Sequence, residues 1–466
     1  MTILDALADP QLFARHFAPA PTWAAWRAFL AALFALPMSA EELATYRCHT
    51  GREAPPSGPA REAWVRVGRR GGKSRVAALV AVFLACFRDY SAVLAPGERG
   101  VVMVIAADRR QARTVFRYTR ALLAVPMLSQ LVEAERAESI DLANGITLEV
   151  HAASFRSVRG YTVLGAILDE VAFWRTDDSA SPDEEVVNAL RPAMATVPGG
   201  LLLGISSPYA RRGVLWKQDR AHYGKAGDVL VWAAPTRAMN PTVGAALVER
   251  AYADDPASAA AEWGAEFRSD VEAFLTREAV EACVTPDCRE RPPVAGVRYF
   301  GFCDPSGGSA DSMTLAIAHA EPGENGAPSR AVLDAVRERR PPFSPEAVVS
   351  DFAAVLQSYR VSAVTGDRYA GEWPRERFAV HGIRYEPAAK PKSDLYRDLL
   401  PLVNGRPVDL LDVPRLVAQL VNLERRTARG GRDSIDHAPG AHDDVANAVA
   451  GALVGLVDKV HLPPTW

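Results

Sequence analysis

A glycine-rich loop that ends in lysine and serine is the first stretch of this sequence that could do chemistry. A β-prone run, Trp64 to Val67, leads into the loop, and the apolar residues from Val76 to Phe87 predict a buried helix after it. Glycines let backbone N–H groups approach phosphate oxygens, and the helix directs its positive end at the same charge. The lysine of such a loop bridges the β- and γ-phosphates of a nucleotide, while the serine hydroxyl binds Mg²⁺. The pattern predicts an ATP site formed by Gly68, Arg69, Arg70, Gly71, Gly72, Lys73 and Ser74.

The loop departs from the standard phosphate-binding pattern in its length. The standard pattern has a glycine where this sequence has Val67, and starting at Gly68 gives a loop that is one residue shorter. An ordinary turn before a helix is the alternative interpretation. The order of strand, loop and helix favours phosphate binding.

Two acids at the end of a second apolar run complete the predicted ATP site. The run from Val163 to Leu168 reads as a buried parallel strand and ends on Asp169 and Glu170. In an open α/β sheet, nucleotides bind at the carboxyl ends of the strands. We predict that Asp169 holds Mg²⁺ and that Glu170 polarises the attacking water. A solvated strand end is the alternative, but the phosphate loop upstream favours the catalytic interpretation.

Hydroxyls and arginines near these acids could act on the same phosphates. A third apolar strand, Leu201 to Ser207, ends in hydroxyls that could sense loss of the γ-phosphate, although the same residues also suit an ordinary turn. Arg156 and Arg159 lie upstream of the acidic strand, and a guanidinium beside the γ-phosphate can stabilise transition-state charge. Contact with DNA or with solvent is the alternative role for both arginines.

Carboxylates from three distant positions predict a second chemical site. Asp304 and Asp367 each end an apolar strand, and His442, Asp443 and Asp444 open an apolar helix. Carboxylates that converge on one sheet edge suit a phosphodiester hydrolase with two Mg²⁺ ions, because hard oxygen ligands hold the metals that activate water and stabilise the leaving oxygen. Singly, each acid is more typical of a turn or a helix cap. The combination predicts a metal site.

Four arginines near the last acids predict contact with DNA. They flank two glycines in a stretch that suits a phosphate backbone, and a solvated hairpin is the alternative. The residues are Arg425, Arg426, Arg429 and Arg432.

The elements that must position these sites alternate between strand and helix. This ordering predicts an α/β fold with a mainly parallel sheet and helices on both faces. The predicted organisation is a helical lead-in over 1–60, a nucleotide-binding core over 61–232, a helical linker over 233–293 and a second α/β domain over 294–466. Within the linker, helices are predicted over 243–253 and 257–273.

Composition narrows the class of protein. The 466 residues can form two or three domains, and a net charge of -3 neither requires nor excludes a nucleic-acid partner. Five scattered cysteines are typical of a reducing cytoplasm rather than of a disulfide framework. The longest apolar runs are shorter than the roughly 20 residues of a membrane span, and the chain opens on no signal peptide. We therefore expect an intracellular protein without membrane association.

The motifs together resemble those of the large terminase subunit of tailed double-stranded DNA bacteriophages, over the stretch from about Trp64 to Val457. The resemblance is carried by the loop GRRGGKS, the strand ending in LDE, the Ser-Ser-Pro after the third strand, and the later motifs GFCDPSGGSADS, VTGD and GAHDDVANA. The stretch KSDLYRDLLPLVN is also similar to what that family places between its second and third acids. The shortened loop resembles the form found in that family, with Arg69 matching its phosphate-loop arginine.

This resemblance implies an N-terminal P-loop ATPase of the ASCE type and a C-terminal RNase H-like nuclease. It implies ATP and Mg²⁺ as cofactors, with Mn²⁺ able to replace Mg²⁺ in the nuclease, and an activity that moves double-stranded DNA into a procapsid and cuts concatemers. The nuclease acids of the family match Asp304, Asp367 and Asp444, with Asp443 or His442 as a further metal ligand. An arginine that reaches the ATP of a neighbouring subunit matches Arg159 or, alternatively, Arg156.

The resemblance also implies partners and a location. The expected partners are double-stranded DNA, the portal protein of the procapsid, the small terminase subunit, and other copies of this chain in a ring, with a pentamer expected on the portal. The expected location is the host cytoplasm, with transient docking on the procapsid and absence from the mature virion. A DNA-repair helicase–nuclease and a non-cutting, ATP-switched DNA-binding protein are the alternative functions. A helicase is expected to carry further motifs in a second motor domain, and the sequence after Pro208 contains none that we identify.

Overall fold

The computed structural model describes most of the chain as two compact units. The described residues are 1–154, 160–174, 179, 181–309, 311–322, 330–367, 372–405, 407–427, 433–438 and 441–461. The N-terminal unit contains the described residues up to Ser269, apart from Ser179, and the C-terminal unit contains the others.

Among the described residues, the N-terminal unit is built on one eight-stranded sheet. Its strands are β1 (Glu62–Val67), β2 (Gly100–Ala106), β3 (Val132–Glu135), β4 (Ser139–Leu142), β5 (Ile146–Ala152), β6 (Thr162–Asp169), β7 (Leu201–Ser206) and β8 (Val229–Ala234). The strand order is β3-β4-β5-β2-β6-β7-β1-β8. All neighbouring pairs from β5 to β8 are parallel, whereas β4 is antiparallel to both β3 and β5.

Helices cover both faces of this sheet. They are α1 (Ile3–Ala8), α2 (Ala24–Leu33), α3 (Ala40–Thr50), α4 (Lys73–Phe87), α5 (Arg109–Leu123), α6 (Pro126–Ser129), α7 (Pro182–Ala193), α8 (Gly213–His222), α9 (Thr236–Met239), α10 (Ala245–Asp254) and α11 (Pro256–Glu262). Side chains of the central strands alternate between two apolar clusters, as strand geometry requires. Val65 and Val102 join the cluster under α2, α4 and α5, while Trp64 and Met103 join the cluster under α7 and α8.

A glycine in the centre of this sheet makes room for a tryptophan. Gly204 of β7 is the register partner of Trp64 in β1, and a Cβ at Gly204 would lie 2.5 Å from two atoms of the indole ring. Because the ring is fully buried, it has no free space to move into. Gly204→Ala is therefore expected to destabilise the N-terminal unit by about 1–3 kcal/mol, measured as a lower thermal midpoint. Gly58→Ala is the matched control, since a Cβ at Gly58 would meet no atom within 4 Å. Equal midpoints for the two variants would contradict the prediction.

The C-terminal unit contains a seven-stranded and a three-stranded sheet within its described residues. Its strands are β9 (Val271–Ala273), β10 (Val284–Thr285), β11 (Tyr299–Asp304), β12 (Met313–Glu321), β13 (Arg330–Arg339), β14 (Ala363–Gly366), β15 (Arg384–Pro387), β16 (Val408–Leu411), β17 (Leu423–Thr427) and β18 (Asp433–His437). The orders are β10-β16-β13-β12-β11-β14-β15 and β18-β17-β9. Strands β11, β12 and β13 are antiparallel, and β14 and β15 continue parallel to β11, which is an RNase H-like arrangement.

The helices of the C-terminal unit pack on this larger sheet. They are α12 (Arg277–Glu281), α13 (Pro345–Ser358), α14 (Trp373–Val380), α15 (Lys392–Gly405), α16 (Pro414–Val421) and α17 (Asp444–His461). Small residues bring α17 close to β11, because Gly451 lies against the ring of Phe302 and Gly455 lies against the ring of Phe300. The close packing holds the first turn of α17 beside the end of β11.

The predicted helical linker, residues 233–293, is divided between the two units because its halves pair with different sheets. Strand β8 pairs with β1, whereas β9 pairs with β17 and β10 pairs with β16. The helix predicted over 257–273 is wrong beyond Glu262, where α11 ends. Val271 instead starts β9, because pairing with a distant strand outweighs local helical preference.

The predicted α/β fold class is confirmed. Both units combine helices with a central sheet, and the N-terminal sheet is mainly parallel. In the part of the chain that the structure describes, no helix combines the length and the apolar composition that crossing a bilayer requires.

Candidate active sites

The predicted phosphate loop joins the carboxyl end of β1 to the first turn of α4. Lys73 is the first residue of the helix, and Gly72 before it has φ 95°, a left-handed conformation that glycine adopts without steric cost. Ser74 lies in the same first helical turn and lines a cavity above the loop. The structure thus has the strand, loop and helix in the order that phosphate binding requires.

The ammonium of Lys73 is buried and fully surrounded by oxygens. Nζ donates to the carbonyl of Val67 at 2.9 Å, to the carbonyl of Gly68 at 3.3 Å and to Oγ of Ser207 at 2.9 Å. It also lies 3.3 Å from Oε1 of Glu170. These oxygens occupy the directions in which a lysine of this kind would meet phosphate.

Glu170 is held in a strained backbone conformation beside this lysine. It follows the last residue of β6 with φ 50°, which is uncommon for a residue other than glycine and costs of order 1 kcal/mol. Its Oε2 accepts hydrogen bonds from Oγ of Ser206 at 3.1 Å and from the N–H of Ser207 at 3.0 Å. The end of the neighbouring strand β7 therefore fixes the carboxylate in place.

Asp169 fits the role of a magnesium ligand. Burial raises the pKa of Asp169 to about 7, the charge of Glu170 adds to the rise, and the charge of Lys73 opposes it. One carboxylate oxygen, Oδ1, is buried without a hydrogen-bond partner among the described residues. A buried, unpartnered carboxylate oxygen is a hard ligand of the kind that Mg²⁺ prefers.

A cavity of about 660 Å³ opens above the loop. Arg69 and Arg70 are exposed at its rim, and a guanidinium nitrogen of Arg69 lies 3.4 Å from Oε1 of Glu262. The remaining lining includes Thr22, Trp23, Gly71, Gly72, Lys73, Ser74, Tyr118, Glu170 and Asn240. Arg156 and Arg159 lie outside the described residues, so their predicted contact with ATP stays a prediction.

In the C-terminal unit, the three predicted nuclease acids line one cavity of about 580 Å³, called here the acid cavity. Asp304 is the last residue of β11, and Asp367 directly follows β14, the parallel neighbour of β11. Asp444 is the first residue of α17, which packs against β11 and β12. Sheet order and helix packing therefore bring together carboxylates that are far apart in sequence.

The acids of this cavity repel one another. Burial raises the pKa of Asp304 to about 8; a hydrogen bond from Asn447 lowers it, and the charges of Asp444, Asp367 and Asp443 raise it further. Burial and the charge of Asp443 raise the pKa of Asp444 to about 6. Because nearby like charges and burial both oppose ionisation, a bound divalent cation would relieve both costs.

Asn447 adds a further oxygen to this set, and the sequence analysis did not single it out. Its Nδ2 donates to Oδ2 of Asp304 at 2.8 Å. Its Oδ1 is buried without a hydrogen-bond partner among the described residues. Asn447 lies three residues after Asp444 on α17, a spacing that places both side chains on one helix face. The donor set of carboxylates and an amide oxygen fits Mg²⁺ or Mn²⁺.

Asp443 faces a lysine and a tyrosine. The hydroxyl of Tyr396 donates to its Oδ2 at 2.8 Å, and Nζ of Lys392 lies 3.0 Å from the same oxygen and 2.8 Å from Oδ1 of Asp436. Although burial lowers the pKa of Lys392, the two carboxylates outweigh it and raise that pKa. His442 is more exposed, with Nδ1 4.0 Å from Oδ2 of Asp444. Metal binding by Asp443 or His442 stays a prediction.

Lys392 is the second residue that the sequence analysis did not assign to the site. It lines a cavity beside the acids, together with Asp304, Asp367 and Asp444. Its only signal in the sequence is its place at the start of KSDLYRDLLPLVN. The structure thereby adds one positive charge to the edge of an otherwise acidic site.

Backbone and hydroxyl groups orient Asp444. The N–H of Ser312 donates to its Oδ2 at 3.2 Å, and Oγ1 of Thr314 donates to its carbonyl at 2.7 Å. Oγ of Ser312 donates in turn to Oε1 of Glu338, which lies 2.8 Å from Nε of Arg415. Strand β12 therefore holds the third acid in a defined orientation.

The predicted DNA-contacting arginines lie around the β17–β18 hairpin. Arg425 pairs with Asp433 across the hairpin, and a guanidinium nitrogen of Arg426 lies 3.3 Å from Oε2 of Glu424. Both arginine side chains remain accessible, at 50% and 37%. Contact with DNA stays a prediction for both, and two of the four predicted residues, Arg429 and Arg432, lie outside the described residues.

Removing the charge of Asp304 is expected to stabilise the metal-free protein. The ordinary pKa of this carboxyl is 3.8, but in the folded chain it is about 8. Between about pH 4 and pH 8 the folded state holds a proton that the unfolded state has lost, so wild-type stability falls as pH rises, by up to about 1.4 kcal/mol per pH unit. Asparagine does not titrate. In EDTA, the excess in thermal midpoint of Asp304→Asn over wild type should grow as pH rises from about 5 to about 8. A difference that stays constant with pH would contradict this prediction.

Comparison with known proteins finds solved large terminases with a similar fold. The large terminase of bacteriophage HK97 has 17% sequence identity and a TM-score of 0.35, covering 84% of this chain and 91% of that chain. The large terminase of a thermophilic bacteriophage, solved in complex with ADP, has 13% identity and a TM-score of 0.38, covering 90% and 100%. The large terminase nuclease of thermophilic phage G20c with bound magnesium has 16% identity and a TM-score of 0.33, covering 39% and 98%. No protein-family model and no curated protein matches this sequence.

Proposed function

We propose that this chain is the large subunit of a phage terminase, which hydrolyses ATP to move double-stranded DNA into a procapsid and cuts that DNA. The observation that carries the proposal is that one chain has a phosphate-loop cavity in its N-terminal unit and an acid cavity in its C-terminal unit. The first cavity suits hydrolysis of a nucleotide, and the second suits hydrolysis of a phosphodiester.

At the ATP site, Lys73 and Glu170 act on opposite partners of the reaction. Phosphate oxygens of ATP replace the carbonyl and hydroxyl oxygens that the Lys73 ammonium contacts, and the ammonium neutralises charge that develops on the transferred phosphoryl group. Glu170 orients the attacking water and accepts its proton. Mg²⁺, when held by Ser74 and Asp169, supplies positive charge to the phosphate oxygens.

At the acid cavity, the carboxylates act once they are ionised. Divalent cations, when held by Asp304, Asp367 and Asp444, activate water and stabilise the leaving oxygen. The acids must lose their protons to act as ligands, so metal binding strengthens as pH rises. Lys392, fixed by Asp443, offers its ammonium to the DNA phosphate.

The proposal includes the partners and the location that accompany such a motor. The chain acts on double-stranded DNA as a ring of identical subunits, a pentamer docked on the portal protein, and receives DNA with the small terminase subunit. Arg159, or Arg156 in its place, reaches the ATP of the neighbouring subunit, and Arg425 and Arg426 contact the DNA backbone. The complex works in the host cytoplasm and is absent from the mature virion.

A packaging reaction tests this proposal against the two alternative functions. The purified chain is mixed with procapsids that carry a portal, with linear DNA and with ATP, and DNA that resists added nuclease is measured. Protection that requires ATP is expected. Unwinding of a forked duplex without protection would favour a repair helicase–nuclease. ATP hydrolysis without protection, unwinding or cleavage would favour a non-cutting DNA-binding protein.

A further inference from the structure

Three consecutive carbonyls of the phosphate loop each accept a hydrogen bond from a side chain outside the loop. Oγ1 of Thr236 donates to the carbonyl of Arg69 at 2.8 Å, and Nδ2 of Asn240 donates to the carbonyl of Arg70 at 2.7 Å. The third donor is Nε1 of Trp26, which lies 2.7 Å from the carbonyl of Gly71. The donors come from α2 and from the segment at α9, which are far apart in sequence.

These contacts determine where the loop directs its N–H groups. A trans peptide is planar, so its carbonyl and the following N–H point in opposite directions. Holding the carbonyls of Arg69 and Gly71 therefore turns the N–H groups of Arg70 and Gly72 away from the donors. Both residues line the cavity above the loop, whereas the N–H of Gly71 donates within the loop, to the carbonyl of Gly68 at 3.2 Å. The three side chains thus favour the backbone arrangement that phosphate oxygens need.

The donors are themselves held in place. Thr236 is buried, its N–H donates to the carbonyl of Trp263 at 2.8 Å, and a Cβ at Gly68 would overlap its hydroxyl. Asn240 accepts from the hydroxyl of Thr242 at 2.6 Å, which orients its amide so that the NH₂ faces the loop.

The indole donor is equally constrained. Trp26 is fully buried and packs edge-to-face on Phe29, with ring centroids 5.5 Å apart. A Cβ at Gly72 would lie 3.0 Å from its Nε1, so a larger residue there would crowd the donor. Donors with fixed orientations can hold a flexible loop, whereas mobile ones would follow it.

We propose that Trp26, Thr236 and Asn240 are positioning residues that pre-organise the phosphate loop for the di- and triphosphate of its nucleotide. The inference rests on the proposed ATP-hydrolysing function and deepens it by assigning part of the nucleotide affinity to residues outside the loop. A loop with three glycines loses more conformational entropy than most when it is ordered around a ligand. The clamp of three donors reduces that loss before the nucleotide arrives.

A pair of substitutions at Thr236 tests the clamp with little change of shape. Thr236→Val removes the hydroxyl from a side chain of the same branching, and Thr236→Ser keeps the hydroxyl. Calorimetric titration of the full chain with MgADP is expected to show about tenfold weaker binding for Thr236→Val, because a buried carbonyl loses its donor. Thr236→Ser should restore most of the affinity, which a role in packing alone does not predict. The KM for ATP should rise with the dissociation constant.

Asn240→Leu and Trp26→Phe extend the test to the other donors, with about tenfold weaker MgADP binding expected for each. Thermal midpoints of all variants are measured, and the Thr236 pair decides the result if Trp26→Phe does not fold. Wild type that binds MgADP and Thr236→Val that binds it equally well would overturn the clamp alone. Wild type that binds no MgADP would overturn the proposed function and the clamp with it.

Discussion

Replacement of Asp304 by asparagine is expected to slow metal-dependent DNA cleavage about a thousandfold or more, while ATP hydrolysis continues at the wild-type rate. Asp304 shares the acid cavity with Asp367 and Asp444, and the charges of both acids act on it. Asparagine has nearly the same shape but no negative charge, so it cannot hold a divalent cation as a carboxylate does. Plasmid cleavage in Mg²⁺ or Mn²⁺ measures the loss.

The control for this variant is another acid of the same unit. Asp351→Asn removes an exposed carboxylate that pairs with Arg339 on the surface, and cleavage should remain at the wild-type rate. Asp304→Asn is expected to fold, because its substitution relieves repulsion in the metal-free site. Wild-type cleavage by folded Asp304→Asn would show that this cavity does not hydrolyse DNA.

Replacement of Lys73 by alanine is expected to abolish ATP hydrolysis, with a loss of about a thousandfold or more. The ammonium is the one positive group that contacts both the loop carbonyls and Glu170 among the described residues, and alanine leaves those oxygens without a cation. Glu170→Gln is expected to separate binding from chemistry. It keeps the hydrogen-bonding shape of the side chain but cannot accept a proton, so ATP should bind while hydrolysis is very slow.

A surface lysine of the N-terminal unit provides the control. Lys217 pairs with Glu184 at an exposed position, and Lys217→Ala should leave both ATP binding and hydrolysis unchanged. Titration with MgATP and a phosphate-release assay measure the two steps separately. Hydrolysis by Lys73→Ala at the rate of Lys217→Ala would remove the basis for the nucleotide assignment.

Local sequence patterns are enough to locate the elements that carry both sites. The helix predicted from Arg109 to Leu123 has these bounds in the structure, because apolar residues recur at helical spacing and Asp108 caps its first turn. Buried strands of a parallel sheet read as apolar runs, so their ends are visible where a charged residue follows. Asp169 and Asp304 are both located in this way.

Contacts between distant segments could not be predicted from such patterns. Thr236, Asn240 and Trp26 act through single hydrogen bonds to backbone carbonyls, and a donor of this kind leaves no periodic trace in the sequence. Lys392 enters the nuclease site because α15 packs beside the start of α17, a tertiary contact. Asn447 is the intermediate case, since its spacing from Asp444 marks one helix face but does not say what that face meets.

The central claim is that one chain performs two independent hydrolytic reactions, and measuring both activities side by side tests it most directly. ATP hydrolysis and plasmid cleavage are followed in the same buffer for wild type, Lys73→Ala and Asp304→Asn. We predict that wild type shows both activities, that Lys73→Ala loses ATP hydrolysis but still cuts DNA, and that Asp304→Asn loses cutting but still hydrolyses ATP. Loss of both activities in each folded variant, or of neither, would contradict the assignment of separate ATP and nuclease sites.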